Sequence, residues 1–448
     1  MTPFARSPCH SVIVGHVAEK GPTSGSRLHH PHRQRLRGIG YFQRVGPGLI
    51  TGAADDDPSG IGTYSQVGAA FGFSLLWSTI VALPLAVAVQ EATARLGLLS
   101  GRGLAALIKR ELPRWVLYVS LTLVVSANTF NIGADLGSMA AATSMLVPLP
   151  DVVLVIVFAT AMMSLEIFVP YHRYSRVLRW LCLSLISYLV VMFVVDVDWD
   201  DVVSSVFIPS FSMSRETLAA LIALFGTTIS PYLFFWQTSE EVEELQDHGL
   251  LADDGSDSAA HLRAMRGDVF AGMSSGVLVM FAIMVTSAAT LGKAGITSVS
   301  TAEEAALALE PLAGSSARLL FTLGIVGTGL LAVPVLAGST SYAIAETFGW
   351  REGLGLRVSQ AKAFYGVIVC SMVIGSVMNM VGTNPVRMLY WAAILNGLAA
   401  PPLIAVIWML SRRRHLLGDH VSGPVSSTLV ALAAGISAVL PLLYLLAK

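Results

Sequence analysis

Three consecutive aspartates, Asp55, Asp56 and Asp57, stand inside an apolar run at residues 46–69, directly before Pro58. At the centre of a membrane-spanning helix, an ionised carboxylate costs about 2.5–3.5 kcal/mol on insertion scales. A triplet that expensive points to function: carboxylates at membrane depth hold cations, relay protons or face a counter-charge. A second polar break, Gly226-Thr227-Thr228-Ile229-Ser230-Pro231-Tyr232, interrupts another apolar run at 215–240. Proline removes an amide donor and clashes with the preceding turn, so both helices are expected to break there. Unwound backbone survives at membrane depth only where it lines a cavity or is buried in protein.

The chemistry these residues offer is cation binding by oxygen. Asp57, immediately before the proline, is the first candidate ligand and Asp56 the second. Asp55 is expected to sit hydrated at a vestibule or protonated. In an extended stretch alternate residues face the same way, which would put Asp55 and Asp57 on one side. The breaks free the carbonyls of Ala54 and Thr227, and Ser230 adds a hydroxyl. Such an all-oxygen set suits Mg, Ca or Mn rather than thiophilic metals. All ten histidines fall in loops or in the amino-terminal segment, and neither motif contains cysteine or methionine.

Other charges in or near the spans read differently. Asp135 is either a proton or counter-charge site or the partner of a neighbouring lysine or arginine. Glu91, Glu166 and Glu346 lie near span ends, where a carboxylate reaches water. Glu240-Glu241-Val242-Glu243-Glu244 reads as a solvated helix end, with Thr238 and Glu241 spaced as a capping box. Phe234-Phe235-Trp236 reads as packing. Asn396 could bring an amide near the site.

The elements that must position these groups are membrane helices. Of 448 residues, 54% are hydrophobic and 13% charged, against about 25% charged in soluble domains. Breaks in hydropathy give about eleven spans: 46–69, 73–97, 115–146, 151–171, 175–196, 215–240, 266–292, 317–347, 359–381, 386–411 and 424–446. Basic residues alternate between loops (Arg102, Lys109 and Arg110 after the second span, Arg412, Arg413 and Arg414 after the tenth). By the positive-inside rule the amino terminus is cytosolic and the carboxyl terminus outside. Residues 1–40 form a basic tail, expected to be disordered and cytoplasmic, and 41–448 the transmembrane domain. The tail's His29-His30-Pro31-His32 reads as part of that tract rather than as a metal site. The first and sixth spans, broken alike and five apart, imply an inverted five-plus-five repeat with its site between them. A net charge of −1 argues against a nucleic-acid partner. Cys9, Cys182 and Cys370 have no ligand-like spacing and read as packing residues.

At these residues the chain resembles the NRAMP divalent-metal transporters, over most of its length after residue 40. Gly46-Pro47-Gly48-Leu49 leads into Asp57-Pro58-Ser59-Gly60, where the family usually has Asp-Pro-Gly-Asn. Gln90 with Ala94-Arg95-Leu96-Gly97 and Gly101 resembles the end of the family's second span. Gly226 to Tyr232 stands where the family has a Gly-Ala-Thr-Val-Met-Pro-His type sequence, and Asp135 falls near its third-span aspartate. The resemblance implies an all-α, LeuT-type fold with the metal between the broken spans. It adds Gly60, at the metal-binding asparagine's position, to the candidate metal residues. Asp135, Tyr232 and Gln237 become candidates for proton handling or gating. Ser230 replaces the family methionine and Tyr232 its histidine, and Lys362 is the basic residue nearest the place of its paired ninth-span arginines. Loss of a sulfur ligand removes discrimination against hard cations, so magnesium-transporting relatives are the nearer comparison.

The resulting expectation is a multi-pass carrier of divalent cations (Mn or Mg, with Fe a further possibility) working by alternating access. It is expected in a bacterial inner membrane, as a monomer, with no resident cofactor and no enzymatic activity. The competing reading is a sodium-coupled carrier of amino acids or other small organics on the same fold, disfavoured because three aspartates repel an anionic substrate. A receptor would need a soluble domain that the connections at 241–265 and 293–316 are too short to form.

Overall fold

The computed structural model describes residues 47–169, 185–210, 212–247 and 258–447; the predicted tail and its histidines lie outside them. Among the described residues the chain is helical, with no strand. The first span is two pieces, α1 (Pro47–Asp55) and α2 (Pro58–Phe71). Then follow α3 (Trp77–Ser100), the short α4 (Leu104–Glu111), α5 (Arg114–Ser144), α6 (Asp151–Phe168), α7 (Ile186–Val194) and α8 (Trp199–Phe207). The sixth span is again two pieces, α9 (Arg215–Thr228) and α10 (Pro231–Asp247). The last are α11 (Ser258–Ser287), α12 (Ala317–Phe348), α13 (Lys362–Met378), α14 (Pro385–Leu410) and α15 (Pro424–Leu446). Nine helical stretches among the described residues are long and apolar enough to cross a bilayer. The two other predicted spans are the first, whose pieces have 9 and 14 residues, and the fifth, which lies partly outside the described residues.

The helices sort into two packed groups. Helices α1, α2, α3, α10 and α11 form one, α5, α6, α12 and α13 the other, and α14 touches both, through α2 and α5, with α9 packed against α14 and α2. Between helices in lipid there is little hydrophobic drive, so close backbone approach matters most. Glycines supply it at the helices that carry the breaks. A Cβ on Gly52 of α1 would stand 2.3 Å from the Gly272 backbone of α11. One on Gly226 of α9 would stand 2.2 Å from Ala393 O of α14.

The far ends of α10 and α12 correct several expectations. Glu240 and Glu241 are buried, and α10 runs through them to Asp247. Thr238 caps nothing; its hydroxyl donates back to Phe234 O at 2.6 Å. Glu346 reaches no water: it accepts from Ser239 Oγ (2.7 Å) and from Ala106 N (2.9 Å) in the first turn of α4. Glu91 pairs with Arg95 (3.1 Å) and Arg266 (2.9 Å), while the buried Arg95 also holds His420 O (2.9 Å) and Ser422 Oγ (2.8 Å). Glu166 is buried with no hydrogen-bond partner among the described residues. Cys370 is exposed rather than packed. Trp236 does pack as expected, against Gly338 and edge-on to Tyr342.

In the loop after α12, Glu352 has one oxygen buried without a partner. Burial first, then Glu346 and Glu243 beside it, pushes its carboxyl up to about 9. The folded state therefore prefers the neutral acid. This preference has its full effect below the ordinary range near 4.3 and is lost as pH rises toward 9. Glu352→Gln is expected to match the native melting temperature in acid and to exceed it increasingly up to about pH 9. Parallel melts across that range would test this, and a constant difference would remove the cause given.

Candidate metal site

The two breaks meet in the protein interior. Helix α1 ends at Asp55, Asp56 and Asp57 are unwound, and Pro58 is the first residue of α2. Asp57 is the N-cap: its Oδ1 accepts from Gly60 N (2.7 Å) and Ser59 Oγ (2.7 Å). A carboxylate there also faces the positive end of the α2 dipole. Across from it, Ile229 and Ser230 separate α9 from α10. Tyr232 Oη, from the first turn of α10, donates to Ala54 O (2.8 Å) and stands 3.5 Å from Asp57 Oδ2. Thr227 Oγ1 lies 3.5 Å from Ser59 Oγ. All these side chains are buried.

The structure thus brings together Asp57, Ala54, Gly60, Thr227 and Tyr232, with Ser230 beside them. A Cβ on Gly60 would stand 3.4 Å from Asp55 O and 3.4 Å from Thr227 Oγ1, so this position faces both breaks. Two predicted donors are engaged with each other, since Ser230 Oγ donates to Thr227 O at 2.7 Å and to Gly226 O at 3.2 Å. Ala54 O is shared with Tyr232. Asp135 of α5 faces Asp57 and the Ser59 amide, yet neither of its oxygens has a donor in hydrogen-bonding geometry. The lysine or arginine partner allowed for Asp135 is not found among the described residues.

The aspartate triplet divides differently from the expected alternation. Asp55 is still helical, so the extended pattern does not pass through it. Asp55 Oδ2 and Asp56 Oδ1 both approach the Cβ position of Gly276 on α11, at 3.7 and 3.6 Å. They flank the site on the α11 side, while Asp57 faces α10 and α5. Among the described residues no three His, Cys, Asp or Glu side chains are grouped to hold a metal. An ion here would rest on one carboxylate and on backbone and hydroxyl oxygens, a hard donor set.

Gln237 lies one turn and more along α10. It accepts from Thr51 Oγ1 of α1 and from Gln90 Nε2 of α3 (3.3 Å), and donates to Glu241 (2.7 Å). Asn396 is buried on α14 without a hydrogen-bond partner among the described residues. The sequence reading missed Ser59, Tyr64 and Thr228. Ser59 was legible, because a hydroxyl two residues after an N-cap aspartate can return to it. Tyr64 and Thr228, 3.4 Å apart across the two broken helices, carried no such local signal.

Comparison with known proteins adds to this geometry. The family model described as natural resistance-associated macrophage protein-like (Nramp) matches residues 48–447. A divalent metal cation transporter MntH of Acidiphilium cryptum is 26% identical over 386 residues, covering 84% of this chain and 83% of its own length. That of Aeromonas hydrophila is 25% identical over 412 residues, covering 88% and 94%. A crystal structure of the Eremococcus coleocola manganese transporter, bound to an aromatic bis-isothiourea compound, superposes with a TM-score of 0.69 at 19% identity, covering 90% of this chain and 87% of that one. Mhp1, a nucleobase-cation-symport-1 family transporter, superposes with a TM-score of 0.58 at 15% identity, covering 89% and 91%. At such identities these two likenesses show the fold alone, which is LeuT-like.

Proposed function

The chain belongs to the Nramp family of divalent metal transporters, multi-pass membrane proteins and not enzymes, and from that premise we propose how it handles its ion. The reading is a secondary transporter that binds a divalent cation, Mn or Mg, between the two broken helices and carries it by alternating access. The observation that carries it is Asp57: a carboxylate fixed by its own helix start, facing the second break inside the protein. Asp57 supplies the charge, and the carbonyls of Ala54 and Thr227 with the hydroxyl of Ser230 supply further oxygens. Gly60 brings no side-chain ligand, so part of the ion's shell is left to water, which Mg retains more readily than other divalent ions. Asp56, flanking on the α11 side, adds negative potential. Relatives named as divalent metal cation transporters support this reading over the sodium-coupled organic carrier.

Movement requires Ala54 and Thr51 of α1 to part from Tyr232 and Gln237 of α10. Those two residues are proposed as the gating contacts, and Asp135 as the group that takes up charge when the ion leaves. The membrane is proposed to be a bacterial inner membrane, with the amino terminus in the cytosol.

Mn uptake into proteoliposomes, challenged with Mg and with Ca, tests the reading; absence of uptake of any of them overturns it. The Ser230 position gives a sharper test. A thiol is a soft ligand, so Ser230→Cys is expected to improve competition by Cd over Mg roughly tenfold or more. Unchanged Cd:Mg ratios would remove Ser230 from the ion's surroundings.

A further inference from the structure

One face of α5 carries polar groups that the proposed divalent site does not use. Asn128, Asn131 and Asp135 are spaced i, i+3 and i+7, so they line one side of the helix. All three are fully buried. Asn128 Nδ2 donates to Leu336 O (3.2 Å) and Thr340 Oγ1 (3.0 Å) of α12, leaving its own Oδ1 without a partner. Among the described residues, both polar atoms of Asn131 and both oxygens of Asp135 also lack a partner in hydrogen-bonding geometry, although the Ser59 amide faces Asp135.

Five such atoms on one buried helix face are costly, since a buried polar group without a partner forfeits the hydrogen bonds it made to water. The charge on Asp135 makes the cost greater, because it faces a second carboxylate, Asp57, and is offset only by the Ser59 amide beside it. Helices α5 and α12 run antiparallel, with Asn128 against Leu336 and Thr340, Met139 against Gly329, and Ala142 O accepting from Thr322 Oγ1 at 2.8 Å. That register sets residues near 330 beside Asp135. Pro334 lies inside α12 and has no N–H, so the carbonyl of Leu330 loses its helical donor there.

We propose that the Asp135–Asn131 face of α5 is a second cation site, taking a monovalent ion of sodium's size. The chemistry is one negative charge with neutral amide oxygens, which matches a single positive charge better than two. Bound there, the ion neutralises Asp135 while the neighbouring divalent site is empty. The inference stands on the partnerless atoms and does not depend on the transport reading.

Thermal melting of the detergent-purified, metal-free chain tests it. At constant ionic strength, replacing choline by sodium is expected to raise the melting temperature saturably, by roughly 1–2 °C at tenfold saturation. Potassium is expected to give less. Asn131→Leu, which removes the amide but keeps the bulk, and Asp135→Asn, which removes the charge, should each abolish the sodium response while still melting cooperatively. Asp57→Asn should retain it. Equal melting in sodium and choline overturns the site and leaves only buried water to satisfy these groups. A response that persists in both α5 variants, or that disappears only in Asp57→Asn, also overturns it.

Discussion

Asp57→Asn is expected to abolish metal transport while leaving the fold intact. The amide oxygen of the substituted side chain can still accept from Gly60 N and Ser59 Oγ, which Asp57 Oδ1 now does at 2.7 Å each. The cap of α2 therefore remains, and only the negative charge is removed. Loss of partners one step removed from a metal costs about 10–100-fold in affinity, so losing the ligating carboxylate itself is expected to cost at least about 100-fold. Asp57→Ala loses the cap as well and should destabilise the protein by a further ~1 kcal/mol. Mn titration of the purified proteins, with melting of each variant alongside, separates the two effects. Near-native Mn affinity in Asp57→Asn would place the ion elsewhere and remove the basis of the proposed mechanism.

Gly52→Ala carries a large expected structural penalty. The new methyl would stand 2.3–2.4 Å from three backbone atoms of Gly272, and backbone has no rotamer by which to yield. Helix α1 would have to withdraw from α11, taking with it the aspartates at its end. Overpacking a filled interface costs about 1–3 kcal/mol and occasionally more; a backbone-to-backbone contact belongs at the upper end. Gly366→Ala on α13 is the matched control, since a Cβ there meets nothing within 4 Å. In that helix alanine is favoured over glycine by up to ~1 kcal/mol, so the two substitutions should shift melting in opposite directions. A native melting temperature for Gly52→Ala would show that α1 and α11 are not held at this spacing.

The same contact shows where local sequence stops being informative. Gly52 looks like one more small residue in an apolar run, and nothing near it in the chain announces Gly272. Pro58 and Pro231 were different. Each stands beside a run of small polar residues in mid-span, and that combination marks the break, since Pro84, Pro334 and Pro441 lie inside continuous helices and a missing N–H alone is tolerated there. Both broken spans were therefore legible from residue type and position, and so was Asp57, the residue that starts the next helix. The glutamates at 240, 241 and 346 read as solvated because charge favours water locally. They are buried because α4, α10 and α12 close over them, which no single segment encodes.

By itself, then, the chain's pattern of apolar runs determined a helical membrane protein, since every backbone polar group in hydrocarbon must be paired within its own helix. Pro58 and Pro231, with the small polar residues and aspartates beside them, determined where that rule is broken and which charge lies at the break. Tertiary structure alone decided that Asp55 and Asp56 face Gly276 while Asp57 faces Tyr232, that Tyr232 shares the Ala54 carbonyl, and that Asp135 meets Asp57 with no basic partner among the described residues. The physical reason is that breaking a helix is a property of the local backbone. Which oxygen meets which depends on how helices distant in sequence pack.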